Sequence, residues 1–288
     1  MTENIPRQQL PVVLPPYPDE LLSSWISHHA AFYAVPPLVM LRHCLPDASS
    51  LRGADLHLTR EQEIRLAKIF ATTLAVIRRM TFANVAQSSR RMIASRPTQI
   101  CTKCCPVGAE PVPILRSQLL GWRITCPLCG NQLRDTGGCK HPSPFPQYRV
   151  AALRGEKLLD DEAERGIRTW ASPAGIVRLL LMRRRAFPFP AEEELWRFRV
   201  LGNVIPELDG LLAETCTNFP TPQNPVLPLQ LRPALLAGVA IAHAGGAEML
   251  YMLRQSTFGL HRHRFDREAM PFFITAARKR HSTQMQLI

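Results

Sequence analysis

Two C-x-x-C turns, Cys101-Thr-Lys-Cys104 and Cys126-Pro-Leu-Cys129, stand 21 residues apart in the chain. Paired turns at this spacing close tetrahedral thiolate sites in zinc ribbons and related fingers, because each short turn aims two sulfurs at one ion. Four sulfur ligands leave no open position for water or substrate, so such a site stabilises a fold and performs no reaction. The competing reading is of separate buried or redox-active thiols. A redox C-x-x-C belongs in a βαβ setting, and nothing of that kind surrounds these pairs. Cys101, Cys104, Cys126 and Cys129 are therefore the expected zinc ligands.

The remaining cysteines carry less. Six of the eight lie between residues 98 and 146, a stretch rich in Pro and Gly and poor in long apolar runs, as expected of a small module stapled by metal. Cys105 follows a ligand directly and points elsewhere, so it reads as spare or as a ligand in an alternative register. Cys139 and His141 form a C-x-H pair that could begin a second metal site, although two further ligands are not evident. Cys44 and Cys216 stand alone, where a small buried hydrophobe is the default.

Around this module the pattern is helical, and nothing alternates well enough to argue for a large sheet. The expected fold is mainly α, with helical N- and C-terminal regions flanking a small zinc-ribbon-like finger. The divisions fall at 1–97, a helical part with a candidate helix-turn-helix, 98–146, the finger, and 147–288, a helical region with a basic tail. In the first part Asp19 is placed to cap a helix whose Leu22, Trp25, Ile26 and His29 share a face. Thr59 with Gln62 forms a capping box for a helix over about 60–79, whose expected apolar face is Ile64, Ala67, Ala71, Leu74 and Ile77. Further on, Ser172-Pro173 opens a helix expected to end in Arg183-Arg184-Arg185, where the macrodipole favours cations. Ala191–Val200 and Pro233–Gln255 read as further helices.

The chain has 288 residues, of which 46% are hydrophobic and 20% charged, too apolar for a disordered solvating chain. Lys and Arg number 35 against 23 Asp and Glu, a formal charge of +12 that favours a polyanionic partner. The candidate DNA-contacting residues are Arg183, Arg184, Arg185, Arg262, Arg264, Arg278, Lys279 and Arg280, although His261-Arg-His263-Arg also fits a plain solvated stretch. The first eighteen residues carry five prolines and lack the basic and apolar regions of a secretion signal. The apolar run from Pro233 to Ala247 falls short of the ~18 to 20 residues a bilayer requires. The expected setting is the inside of the cell and not a membrane. No phosphate-binding loop, dinucleotide turn, H-E-x-x-H or nucleophile elbow occurs, which argues against an enzyme.

Two passages carry a resemblance. Leu14-Pro-Pro-Tyr-Pro-Asp-Glu-Leu-Leu-Ser-Ser-Trp-Ile26 joins prolines, an acidic pair and a Ser-Trp helix. Ile100-Cys-Thr-Lys-Cys104 is followed by Arg116-Ser-Gln-Leu-Leu-Gly-Trp-Arg-Ile-Thr-Cys-Pro127. In order and separation these passages resemble the TniQ family, target-selection proteins of certain bacterial transposons. Cys129 stands where that family usually has His, and His28 where it often has Arg; Cys remains a good zinc ligand. The resemblance implies an adaptor without strand-transfer activity, joining target DNA or an RNA-guided targeting complex to an AAA+ ATPase that recruits the transposase. The alternative is a zinc-finger transcription regulator without transposition partners. Whether the chain pairs as a homodimer stays open.

Overall fold

The computed structural model describes residues 9–105, 112–136, 144–167, 169–185, 198–210 and 220–285, with side chains up to Ala277. The fold is mainly α. The strands among the described residues are two-residue stretches, Gln99–Ile100 and Arg134–Asp135. The chain forms two compact units that alternate along the sequence. One holds residues 1–85, 99–119 and 125–133, and the other 86–98, 120–124 and 134–288.

The first unit is built on α1 (Leu22–Phe32), α2 (Pro37–Cys44), α3 (Leu51–Leu56), α4 (Arg60–Ile69) and α5 (Leu74–Arg79). The face of α1 expected from its spacing is the one that packs: Leu22, Trp25, Ile26 and His29 are all buried. Trp25 stacks on Phe70, 4.5 Å between centroids, in a core shared with Leu41, Cys44, Leu66 and Ile77. Cys44 is thus the buried hydrophobe its setting implied.

Three local expectations are corrected here. Asp19 does not cap α1, which starts after Leu21 without a side-chain cap. Instead Asp19 takes a positive φ of 62° and turns its carboxylate away from the helix. The capping box at Thr59 and Gln62 is present, but the helix over 60–79 is two helices. The chain reverses at Ala71, whose φ is 44°. The apolar face changes with the break: Ile64 is 49% exposed, whereas Glu63 is buried among Leu66 and Ile69. Glu63 turns inward because Arg78 of α5 donates to its carboxylate at 2.9 Å and 2.8 Å, which offsets the cost of desolvating it.

The second unit contains α6 (Arg149–Arg165), α7 (Pro173–Leu180), α8 (Arg232–Ala244), α9 (Gly246–Gln255) and α10 (Gly259–Met285). Helices α6 and α8 touch where Gly155 meets the Leu236 backbone, so closely that a Cβ there would lie 1.9 Å from the Leu236 carbonyl oxygen. Helix α6 stops at left-handed Gly166; the Ile167 N–H reaches back to Asp161 and the Gly166 N–H to Glu162. Ser172 caps α7 as its sequence indicated, accepting from the Gly175 N–H at 3.0 Å while donating to buried Glu162. Glu162 also accepts from Ser88 and from the Ala174 N–H.

Two further expectations fail in this unit. Helix α7 ends at Leu180, before Arg183-Arg184-Arg185, so the helix dipole does not account for those arginines. Arg183 pairs instead with Arg199 in an antiparallel bridge, flanked by Val200 N–H to Met182 O at 2.8 Å and Arg184 N–H to Phe198 O at 3.2 Å. The helix over Pro233–Gln255 is α8 and α9, bent by 118°, because Gly246 takes a φ of 68°. Most of the Ala191–Val200 segment lies outside the described residues, and its end, Val200–Asn203, is a 3₁₀ turn. No single helix among the described residues is long and apolar enough to cross a membrane.

Candidate functional site

The site is assembled from the proline-rich segment before α1. Backbone groups there have no helix or sheet to pair with, and side chains of α1 supply the partners. Trp25 donates its indole N–H to Leu14 O at 2.9 Å, and the Leu14 N–H donates to His29 Nε2 at 3.0 Å. His29 Nε2 therefore accepts, and Nδ1 donates to Trp25 O at 2.9 Å. Burial lowers the His29 pKa and keeps this neutral tautomer. Glu20, also buried, accepts from the Tyr17 N–H at 2.9 Å and from Ser24 at 2.8 Å, and its Oε1 lies 2.7 Å from His28 Nδ1.

The same residues clasp the segment that follows the first cysteine pair. The Ile114 N–H donates to Ser24, and the Leu21 N–H to Ile114 O, both at 2.9 Å. Arg116 N–H donates to Asp19 O at 2.8 Å, and Ser117 N–H to the Asp19 carboxylate at 2.9 Å. This use of its two oxygens explains why Asp19 leaves the capping position. Arg116 also stacks its guanidinium over buried Phe82, 5.1 Å from the ring centre. The passage that carries the resemblance is thus a hydrogen-bonded frame for the cysteine segment.

Within that frame the four expected thiols meet. The ligand atoms of Cys101, Cys104, Cys126 and Cys129 all lie within 4.8 Å of one another, an arrangement that could hold a metal ion. Cys101 Sγ and Cys129 Sγ are 3.5 Å apart. A tetrahedron with Zn–S of about 2.3 Å has sulfurs roughly 3.8 Å apart, so the donor set fits a zinc-sized ion. The second turn is shaped for this. Cys126 N–H donates to Asn131 O, Gly130 N–H to Cys126 O, and Gly130 takes a φ of 72°. Thr125 and Gln132 close it with an antiparallel bridge.

The electrostatics of the thiols agree with a cation among them. The Asn131 N–H lowers Cys129 to about 7, while hydrogen bonding to Cys129 pushes Cys104 up to about 12. Burial raises Cys126, against the N–H groups of Leu128 and Cys129 that favour its thiolate. A divalent ion held here would supply the charge that lets the sulfurs ionise together. Cys105 is outside the cluster, its N–H bonded to Cys101 O. Cys139, His141 and Cys216 lie outside the described residues.

The basic candidates do not behave as one surface. Arg184 is committed to an ion pair with Asp209 and donates to the carbonyls of Arg199 and Arg185. Arg185 lies over Phe258, and Arg262 donates to Gln255 O at 3.2 Å. Arg183 and Arg264 are exposed and belong to no ion pair among the described residues. The side chains of Arg278, Lys279 and Arg280 lie outside the described residues. The structure adds one cation that the charge runs did not single out, Arg199. Arg199 is 5% exposed and donates to Leu181 O. No spacing rule in the sequence links it to Arg183, sixteen residues earlier.

No match to the chain is found among the curated proteins or among the solved structures. Residues 11–141, which hold both the clasp and the four thiols, match the model of the TniQ family of transposition accessory proteins.

Proposed function

We propose that this protein is a transposition adaptor: it binds zinc through Cys101, Cys104, Cys126 and Cys129, engages target DNA or an RNA-guided targeting complex, and recruits the AAA+ ATPase that brings the transposase. The observation that carries the reading is the coincidence of the TniQ match with a four-thiol cluster braced by the match's own opening motif. Zinc there would cross-link two turns of an otherwise strand-poor module and hold the clasped segment in one conformation. No catalytic step is assigned to any residue. The charge of +12 supports a nucleic-acid partner, and the setting proposed is the bacterial cytoplasm, at the nucleoid.

One observation favours a second reading, a DNA-binding regulator without an ATPase. Helices α4 and α5 are joined by the four residues 70–73, the length of a helix-turn-helix connection. The test is retention of an AAA+ transposition ATPase on the immobilised full chain after nuclease treatment. Retention is the result expected of an adaptor. Loss of retention, together with site-specific DNA binding in the low nanomolar range, would transfer the assignment to the regulator.

A further inference from the structure

In the second unit, outside the residues that match the family, α9 and α10 are joined by the three residues 256–258, the length of a helix-turn-helix connection. The turn is fixed by its own hydroxyls. Ser256 Oγ and Thr257 Oγ1 each donate at 2.7 Å, to Leu253 O and Arg254 O, and the His261 N–H returns to Phe258 O at 3.0 Å. Thr257 is fully buried, and Gly259 carries the reversal with a φ of 48°. Across the turn, Arg254 of α9 grips Asp266 of α10 through both Nε and Nη2, the second at 3.0 Å. A forked pair of this kind fixes orientation as well as charge. Farther along α10, Glu268 accepts from Arg178 of α7 at 2.6 Å.

These pairs sort the charges of α10 by face. Phe265 and Ala269 are buried, and the carboxylates of Asp266 and Glu268 are both held by arginines of neighbouring helices. The exposed residues of its first turns, Leu260, His263, Arg264 and Arg267, recur at i, i+3, i+4 and i+7, which sets them on one side of the helix, and none is acidic. Met270 and Ile274 continue that side, 53% and 48% exposed. On α9 the exposed residues nearest the turn, Tyr251, Met252 and Gln255, are uncharged. A helix face that only meets solvent ordinarily alternates both signs of charge. A cationic face with apolar side chains on it, anchored from behind, suits the major groove of duplex DNA. That groove is about 12 Å wide and admits a helix; arginines there read guanine edges, and apolar side chains meet thymine methyl groups.

We propose that α10 is a DNA-reading helix, whose face of His263, Arg264 and Arg267 enters the major groove while α9 lies across the backbone ahead of it. The inference rests on the DNA-binding part of the reading above. It does not depend on the thiol cluster, on α4 and α5 or on an ATPase.

The experiment measures binding of the full chain to a short fluorescent duplex by anisotropy, once with plain cytosine and once with glucosylated 5-hydroxymethylcytosine, whose sugars fill the major groove. The double variant Arg264→Ala/Arg267→Ala, at exposed positions, is expected to keep its Tm and to bind the plain duplex roughly 10-fold more weakly. Arg154→Ala/Lys157→Ala removes the same charge from exposed positions of α6 and is expected to bind as the wild type does. Glucosylation is expected to weaken the wild type by a similar factor and to leave the Arg264/Arg267 variant unchanged. Wild-type affinity in that variant, or equal losses in the two double variants, would overturn the role of this face while leaving DNA binding elsewhere intact. Wild-type binding indifferent to glucosylation would overturn entry into the groove. A wild-type chain that binds no duplex would remove the DNA-binding part of the function and the role of α10 with it, whatever the outcome of the ATPase test.

Discussion

Asp55 is 1% exposed, and its carboxylate accepts the Ser23 N–H at 2.9 Å. Burial raises it to about 6, against the Ser23 hydrogen bonds and the charge of Arg52. Because the folded chain holds this proton more tightly than the unfolded one, the associated stability is full below about pH 4. It is lost as the pH climbs toward 6, by roughly 3 kcal/mol. Asp55→Asn keeps the acceptor for Ser23 and cannot ionise. Its Tm should exceed that of the wild type at pH 7, and the difference should close below pH 4; a constant difference across that range would show that Asp55 does not titrate there. At the thiols, Cys101→Ser or Cys126→Ser is expected to abolish stoichiometric zinc and leave a partly unfolded protein, measured by metal analysis and circular dichroism. An unchanged Tm would refute the site. The cysteine pairs could be picked out of the sequence because the chemistry of a four-thiolate site resides in ligand identity and spacing. The partners of Asp19 and His29 could not, because they come from backbone 98 residues away or from the return of an irregular segment.

Among the elements, the signals that succeeded act within one turn. The capping box at Thr59 and the Ser172-Pro173 start are satisfied by atoms three residues on, so tertiary packing need not be known. The signals that failed were periodicities carried across a break. Ala71 and Gly246 reverse the backbone, and neither an alanine at positive φ nor one glycine of a Gly-Gly pair announces that in an apolar run. The inward turn of Glu63 was hidden for a related reason, since it needs an arginine from the following helix. Helices α6 and α8 pack tightly at Gly155. Gly155→Ala gains helix propensity but drives a methyl into the Leu236 carbonyl. It should therefore lower stability by about 1 to 3 kcal/mol, read from urea unfolding. A neutral or stabilising result would mean that α6 and α8 can separate freely.

Across the molecule, the family match and the compact units do not coincide. Residues 86–98 and 120–124 fall inside the match but pack in the second unit. Trp122, 1% exposed, donates to Asp160 at 2.7 Å, and the Ile124 N–H donates to Glu156 at 3.0 Å. Arg123 meets Asp160 at 2.5 Å, while its carbonyl accepts from fully buried Arg232 at 2.7 Å. Burial lowers Arg232 to about 10, so it remains a cation at neutral pH. A truncation at residue 141 would strip these partners and bare Trp122. It is expected to aggregate and bind hydrophobic dyes, whereas a monomeric fragment with a cooperative melt would show that the matched region folds alone.

This interleaving also sets a timetable for synthesis. The carbonyl of Arg123 waits for the guanidinium of Arg232, 109 residues later by their numbers (232 − 123). At about 5 to 20 residues per second, a ribosome needs roughly 5 to 20 s to cover that distance. Throughout that interval the nascent chain holds Trp122 and its neighbours without their native cover. Such a chain gains from a chaperone at the exit tunnel more than one whose units are laid end to end.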